Sequence, residues 1–141
     1  MSQVLKLFAV IASAVVVLAG LLFLMQRSII FPAPPGALPE ALPDGVENVT
    51  LSEGHAFLIT PDGSDRPAPL LVYAHGNAEL AQWSIGAFDI FISRGFSVLL
   101  LEYPGYASTD GAPCARSIEA AALAAFDMVT ARADIDADLV V

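Results

Sequence analysis

An α/β fold with parallel β-α-β units is what this sequence predicts, on three observations. Leu70-Leu71-Val72-Tyr73-Ala74 is an unbroken apolar run entering His75-Gly76-Asn77-Ala78, and a run without polar alternation suits a strand covered on both faces, as in a parallel sheet. Gln82 to Arg94 carries Trp83, Ile85, Phe88, Phe91 and Ile92 at three- and four-residue spacings and meets Gly95 where a helix wants its C-terminal glycine, so it is expected to be a crossover helix. Phe96-Ser97-Val98-Leu99-Leu100-Leu101 then reads as the next strand. Such crossovers are almost always right-handed, and ligands bind at the loops beyond the carboxyl ends of the strands.

The remaining elements follow in order. Leu7 to Met25 is 19 residues without a charge, bounded by Lys6 and Arg27. As a helix it is about 28 Å long, near the hydrocarbon thickness of a bilayer. A cleaved secretory signal is the competing reading, but the run exceeds the usual core length of ~7–15 residues and no clean A-x-A site precedes Gln26. Residues 1–27 are therefore read as an uncleaved, single-pass anchor whose partner is the lipid bilayer. Lys6 and the amino terminus against a single Arg27 give the positive-inside rule little to count, and tip the bulk of the chain only slightly toward the outside of the cytoplasm.

Residues 28–45 hold Pro32, Pro34, Pro35, Pro39 and Pro43, too dense for a helix or a central strand, and read as an extended tether. Val46 to Leu51 and Ala56 to Thr60 have short β patterns separated by Ser52-Glu53-Gly54 and closed by Pro61-Asp62-Gly63-Ser64, an opening antiparallel hairpin. His55 at the strand start reads as a surface turn residue. Ala115 to Ala131, with Ile118, Ala122, Phe126 and Val129 at helical spacing, is the second crossover helix. Asp134 to Asp138 read as a solvated turn lacking the glycine and distal glutamate of a calcium loop, and Leu139-Val140-Val141 starts a third buried strand. Residues 46–141 thus form one domain.

All fifteen acidic residues lie beyond residue 27 beside only four arginines, a net charge of −11 there. Nucleic acid and anionic lipid surfaces are unsuited as partners. The single cysteine, Cys114, excludes an intramolecular disulfide and a cysteine-rich metal site. No cofactor or metal is expected.

Tyr73-Ala74-His75-Gly76-Asn77-Ala78, followed by Glu102-Tyr103-Pro104-Gly105-Tyr106-Ala107-Ser108-Thr109-Asp110-Gly111-Ala112-Pro113, resembles the α/β-hydrolase fold family, more narrowly its membrane-anchored, serine-aminopeptidase-like branch of serine hydrolases. Gln26 to Pro32 is similar to that branch's entry segment. The resemblance implies the N-terminal half of an α/β-hydrolase fold, a hairpin plus parallel β-α-β units, behind an N-terminal transmembrane helix. In that fold the third strand lies beside the fourth and fifth, so Leu70 to Ala74 is expected nearly at an edge. The resemblance further implies that the backbone N–H of Asn77 is one oxyanion-hole donor, with Gly76 and His75 shaping the loop, and that Tyr103, Gly105 and Tyr106 lie at the cleft rim. The family has glycine where Ala107 stands, so a positive φ there would cost of order 1 kcal/mol.

Acyl transfer on this fold needs a serine on a G-x-S-x-G elbow, then an acid, then a histidine. The elbow would follow the strand begun by Leu139, and Gly95-Phe96-Ser97-Val98-Leu99, the nearest string, lacks the second glycine. No triad can be assembled from these residues. The expectation is a serine hydrolase of esters, thioesters or amides, truncated before its nucleophile and inactive as these 141 residues. A non-catalytic membrane-tethered binding module and a non-functional remnant are the alternatives. On either of those, His75-Gly76 is a strand-ending turn with its histidine hydrogen-bonded in place.

Overall fold

The computed structural model describes residues 2–63 and 66–141. Ser64, the last residue of the expected Pro61 turn, lies outside the described residues. The chain forms two compact units, one reaching Pro32 and one running from Ala33 to Val141.

The first unit is a single helix, α1 (Gln3–Ile30), of 28 residues with none buried. Ser2 caps it by accepting from the Leu5 amide at 3.3 Å. It is long and apolar enough to cross a membrane.

The second unit is built on one mixed sheet. Its strands are β1 (Val46–Thr50), β2 (His55–Ile59), β3 (Ala68–Ala74), β4 (Ser97–Glu102) and β5 (Ile135–Val140), in the spatial order β1-β2-β4-β3-β5. The expected hairpin is β1 with β2, antiparallel, and β2 continues antiparallel onto β4. From there the sheet is parallel, β4 to β3 to β5. All six residues of β4 are buried, as an apolar run at the centre of the sheet should be.

Two apolar layers cover the faces. On one, Leu58, Leu70 and Leu99 pack with Ala125 and Val129 of the helix α3 (Ala115–Thr130). On the other, Phe57, Val98 and Leu100 are covered by Ala81, Ile85, Phe88 and Phe91, and by Leu38 and Leu42 from the proline-rich segment. That segment is held to the domain: the Leu38 amide donates to the Ala107 carbonyl at 3.1 Å and the Ser108 hydroxyl to the Gly36 carbonyl at 2.9 Å.

Three expectations are corrected. The crossover from 82 to 94 is no continuous helix but a 3₁₀ turn (Ala81–Ser84) and a one-turn helix α2 (Asp89–Ile92), broken between them at Gly86, whose φ of +90° no right-handed helix contains. Ile85, Phe88, Phe91 and Ile92 still pack on the sheet, whereas Trp83 is exposed. Residues 135–140 are a strand, not a turn: β5 follows β3 in register at Ala68 and Pro69, shifts at Leu70, and puts Asp136 and Asp138 on an exposed edge. β3 lies between β4 and β5, one strand in from the edge, as expected. His55 is 5% exposed, with Nε2 2.9 Å from Asn48 Oδ1 and its ring edge-on to Phe57, so it belongs to the sheet and not to a surface turn.

Candidate active site

β3 and β4 run parallel and end together, which brings the two segments 27 residues apart in sequence into one cluster. His75 Nε2 lies 2.9 Å from Glu102 Oε1, and both side chains are fully buried. His75 Nδ1 lies 2.9 Å from the Gly76 carbonyl. A carbonyl only accepts, so Nδ1 carries a hydrogen. Glu102 takes two backbone donors as well, the Ala81 amide at 2.9 Å and the Tyr103 amide at 3.1 Å. Both carboxylate oxygens of Glu102 are thereby engaged as acceptors. The second ring hydrogen therefore belongs on Nε2, and the pair is an imidazolium facing a carboxylate.

The electrostatics agree in direction. Burial works to lower the His75 pKa, but the Glu102 carboxylate, the Gly76 carbonyl and the Glu79 charge together outweigh it and hold the imidazole above its ordinary value. His55 goes the other way, lowered by burial against a weaker pull from Glu102.

The same cluster fixes the 75–81 loop. Tyr103 donates its hydroxyl to the His75 carbonyl at 2.6 Å and lays its ring 4.0 Å from the imidazole. Glu79 accepts from the Gly76 amide at 2.9 Å. Ala78 takes a φ of 59°, turning the loop back toward the sheet. Asn77 between them is exposed, and its amide makes no hydrogen bond among the described residues. Five bonds hold its neighbours while its own donor stays open. A Cβ on Gly76 would lie 3.3 Å from Glu79 Oε2, a contact a flexible carboxylate can relieve, so space demands glycine there less strictly than the sequence suggests.

The loop after β4 is the second wall. Gly105 has a φ of 80°, and a Cβ there would stand 2.9 Å from Pro113 Cδ, so glycine is required on both counts. Ala107 does adopt the expected positive φ, 48°, and Ser108 follows at 61°. Thr109 closes the turn, its hydroxyl donating to the Tyr103 carbonyl and accepting from the Gly105 amide, both at 3.1 Å. Tyr106 lies beneath the rim rather than on it: it is completely buried, its ring centre 5.4 Å from that of His75, and its hydroxyl has no partner among the described residues. Burial is the first cause that raises the pKa of both Tyr103 and Tyr106.

A cavity of about 480 Å³ lined by Thr60, Arg66, Ser97 and Asp134 opens at the other, amino-terminal end of the parallel strands. It is remote from this cluster, and ligand sites of open α/β sheets lie at the carboxyl ends. Among the described residues no three metal-binding side chains converge.

No family model matches the chain, and no curated protein matches it by sequence. Solved structures do. Three are similar over most of the chain: a bacterial heroin esterase at 23% identity and TM-score 0.51, an alpha-beta hydrolase from Vibrio vulnificus at 18% and 0.54, and the esterase Est22 at 20% and 0.54, covering 73%, 69% and 92% of this chain. The fold is that of the α/β hydrolases. The chain spans 36%, 34% and 41% of those three proteins. Within an α/β-hydrolase sheet, His75 to Ala81 is the loop that follows the third strand and Tyr103 to Pro113 the loop that follows the fourth.

The sequence reading missed Glu102. Its signal was an acid closing an otherwise apolar strand, where the sheet is buried on both sides and a carboxylate needs a partner. Once the carboxyl ends of β3 and β4 are aligned, His75 is the side chain able to supply one.

Proposed function

We propose that these residues are the amino-terminal part of a membrane-anchored serine hydrolase that acts on an ester, thioester or amide, with α1 as the anchor and the 75–81 loop as half of its oxyanion hole. The observation that carries the reading is the open, exposed amide of Asn77, directly after His75 and Gly76, which are tied to Glu102, Tyr103 and Glu79. Pre-fixed donors stabilise the charge on a tetrahedral intermediate because they need no reorganisation when it forms. The esterase neighbours support the same chemistry.

Asn77 would polarise the carbonyl and hold the oxyanion, and the second donor would be the amide following a nucleophilic serine that these 141 residues do not contain. The buried imidazolium of His75 is no general base, since its proton is held by Glu102 and it faces away from solvent. It shapes the loop. These residues by themselves therefore bind no fluorophosphonate probe and turn over no p-nitrophenyl ester, because a serine without a histidine base is a weak nucleophile.

The test reads the coding frame beyond residue 141 and expresses the longer product. Probe labelling and ester turnover are expected once a G-x-S-x-G serine, an acid and a histidine are included. Changing Asn77 to proline in that product removes the donor and should lower turnover about 10²–10³-fold. Stoichiometric labelling of the 141-residue chain at one of its own serines would overturn the reading.

A further inference from the structure

Trp83 is the one tryptophan of the chain and is 59% exposed, two residues beyond the oxyanion loop. It borders an open groove of about 390 Å³ with Pro39, Pro43, Gln82 and Ile85, a lining without a charged side chain. The groove is preformed. Leu38, Leu42 and Ile85 pack onto the core beneath it, and the Leu38 amide is bonded to the Ala107 carbonyl. The indole N–H of Trp83 donates to no acceptor among the described residues.

We propose that this groove seats on the surface of the bilayer, with Trp83 inserted at the level of the lipid ester groups. The inference rests on the reading of α1 as a spanning anchor. Pro39 on the groove is nine positions beyond Ile30, the last residue of α1, and a chain that long reaches at most ~30 Å. On that reading the tether is short enough to let the groove reach the membrane surface. Tryptophan suits that depth, where the ring meets hydrocarbon and the N–H meets lipid carbonyls. The net −11 beyond residue 27 selects a zwitterionic rather than an anionic surface.

A single tryptophan makes the test direct, since all indole emission comes from this position. The full chain is reconstituted into phosphatidylcholine vesicles, and the emission is compared with and without phosphatidylcholine brominated on acyl carbons near the ester. Seating predicts a blue-shifted maximum, loss of emission in the brominated vesicles and protection from aqueous acrylamide, with Trp83→Phe supplying the background. A chain that stays in the vesicles through carbonate washing but whose Trp83 is quenched by acrylamide alone, or by neither quencher, overturns the seating and leaves the anchor standing. Release of the chain by carbonate removes both.

Discussion

His75 sits between two acceptors in a site without water access, so its charge and its position depend on each other. An ordinary imidazole titrates near 6.5, and His75 in the folded protein titrates higher. Below pH 6.5 both folded and unfolded chains carry the proton and the pair contributes fully. As pH rises through the folded value that contribution is lost. His55 contributes with the opposite sign: buried neutral, it costs stability as pH falls below 6.5, so the alkaline loss belongs to His75. We expect the urea midpoint of the chain in detergent to decline above about pH 6.5. Glu102→Gln leaves burial to dominate the imidazole, so that decline should flatten while stability at neutral pH drops by about 3 kcal/mol, as when a buried ion pair loses one partner. Equal alkaline slopes in the two proteins would contradict the charged pair.

Helix α3 begins with an unusual cap. The Cys114 thiol accepts from the Ser117 amide at 3.4 Å, while the Ser117 hydroxyl accepts from the Cys114 amide at 3.0 Å and donates to the Ala112 carbonyl at 2.7 Å. A thiol is a weaker acceptor than a hydroxyl. Cys114→Ser should therefore stabilise by a few tenths to about 1 kcal/mol, and Ser117→Ala, which opens the reciprocal bond, should cost about 1 kcal/mol. Thermal melts of the two variants moving in the same direction would refute the reciprocal cap.

The elements show where sequence suffices. β3, β4, α3 and the hairpin were legible because each is held by a periodicity its own residues display. The crossover was not, since Ile85, Phe88, Phe91 and Ile92 can cover a sheet from a helix or from a broken pair of turns, and the positive φ of Gly86 decides for the turns. His55 and Glu102 escaped for a different reason. Their partners, Asn48 and His75, become neighbours only through strand pairing. The His75-Gly76-Asn77 loop was readable as a motif, but that Glu102 fastens it from the next strand while the Asn77 amide stays open depends on that same pairing.

Over the whole sheet, the outer strands β1 and β5 differ in how they face solvent. β1 is tied at Glu47 to Arg132, 2.8 Å away, and Arg132 also grips Asp134 at 2.8 Å, which holds that carboxyl below its usual range. β5 exposes Ala137, Asp138 and Leu139, with Asp136 half-buried, so its charges are Asp136 and Asp138, and the Asp138 amide donates to Asp136 at 3.1 Å. Charge on an edge strand opposes pairing with another chain. Replacing both aspartates with valine should make the detergent-solubilised chain associate as concentration rises, seen by sedimentation velocity. An unchanged sedimentation profile would mean that the bulge at Pro69 and Leu70 already protects this edge.

Two bonds described above, Leu38 to Ala107 and Ser108 to Gly36, also decide how the domain bears a pull. Tension arriving along the chain from α1 meets them before it reaches β1. Its first point of application is the left-handed turn at Ala107 and Ser108, a few residues from Tyr103, rather than the hairpin that comes next in sequence. The loop after β4 is thus the mechanical attachment point of the domain, and the hairpin is shielded from load.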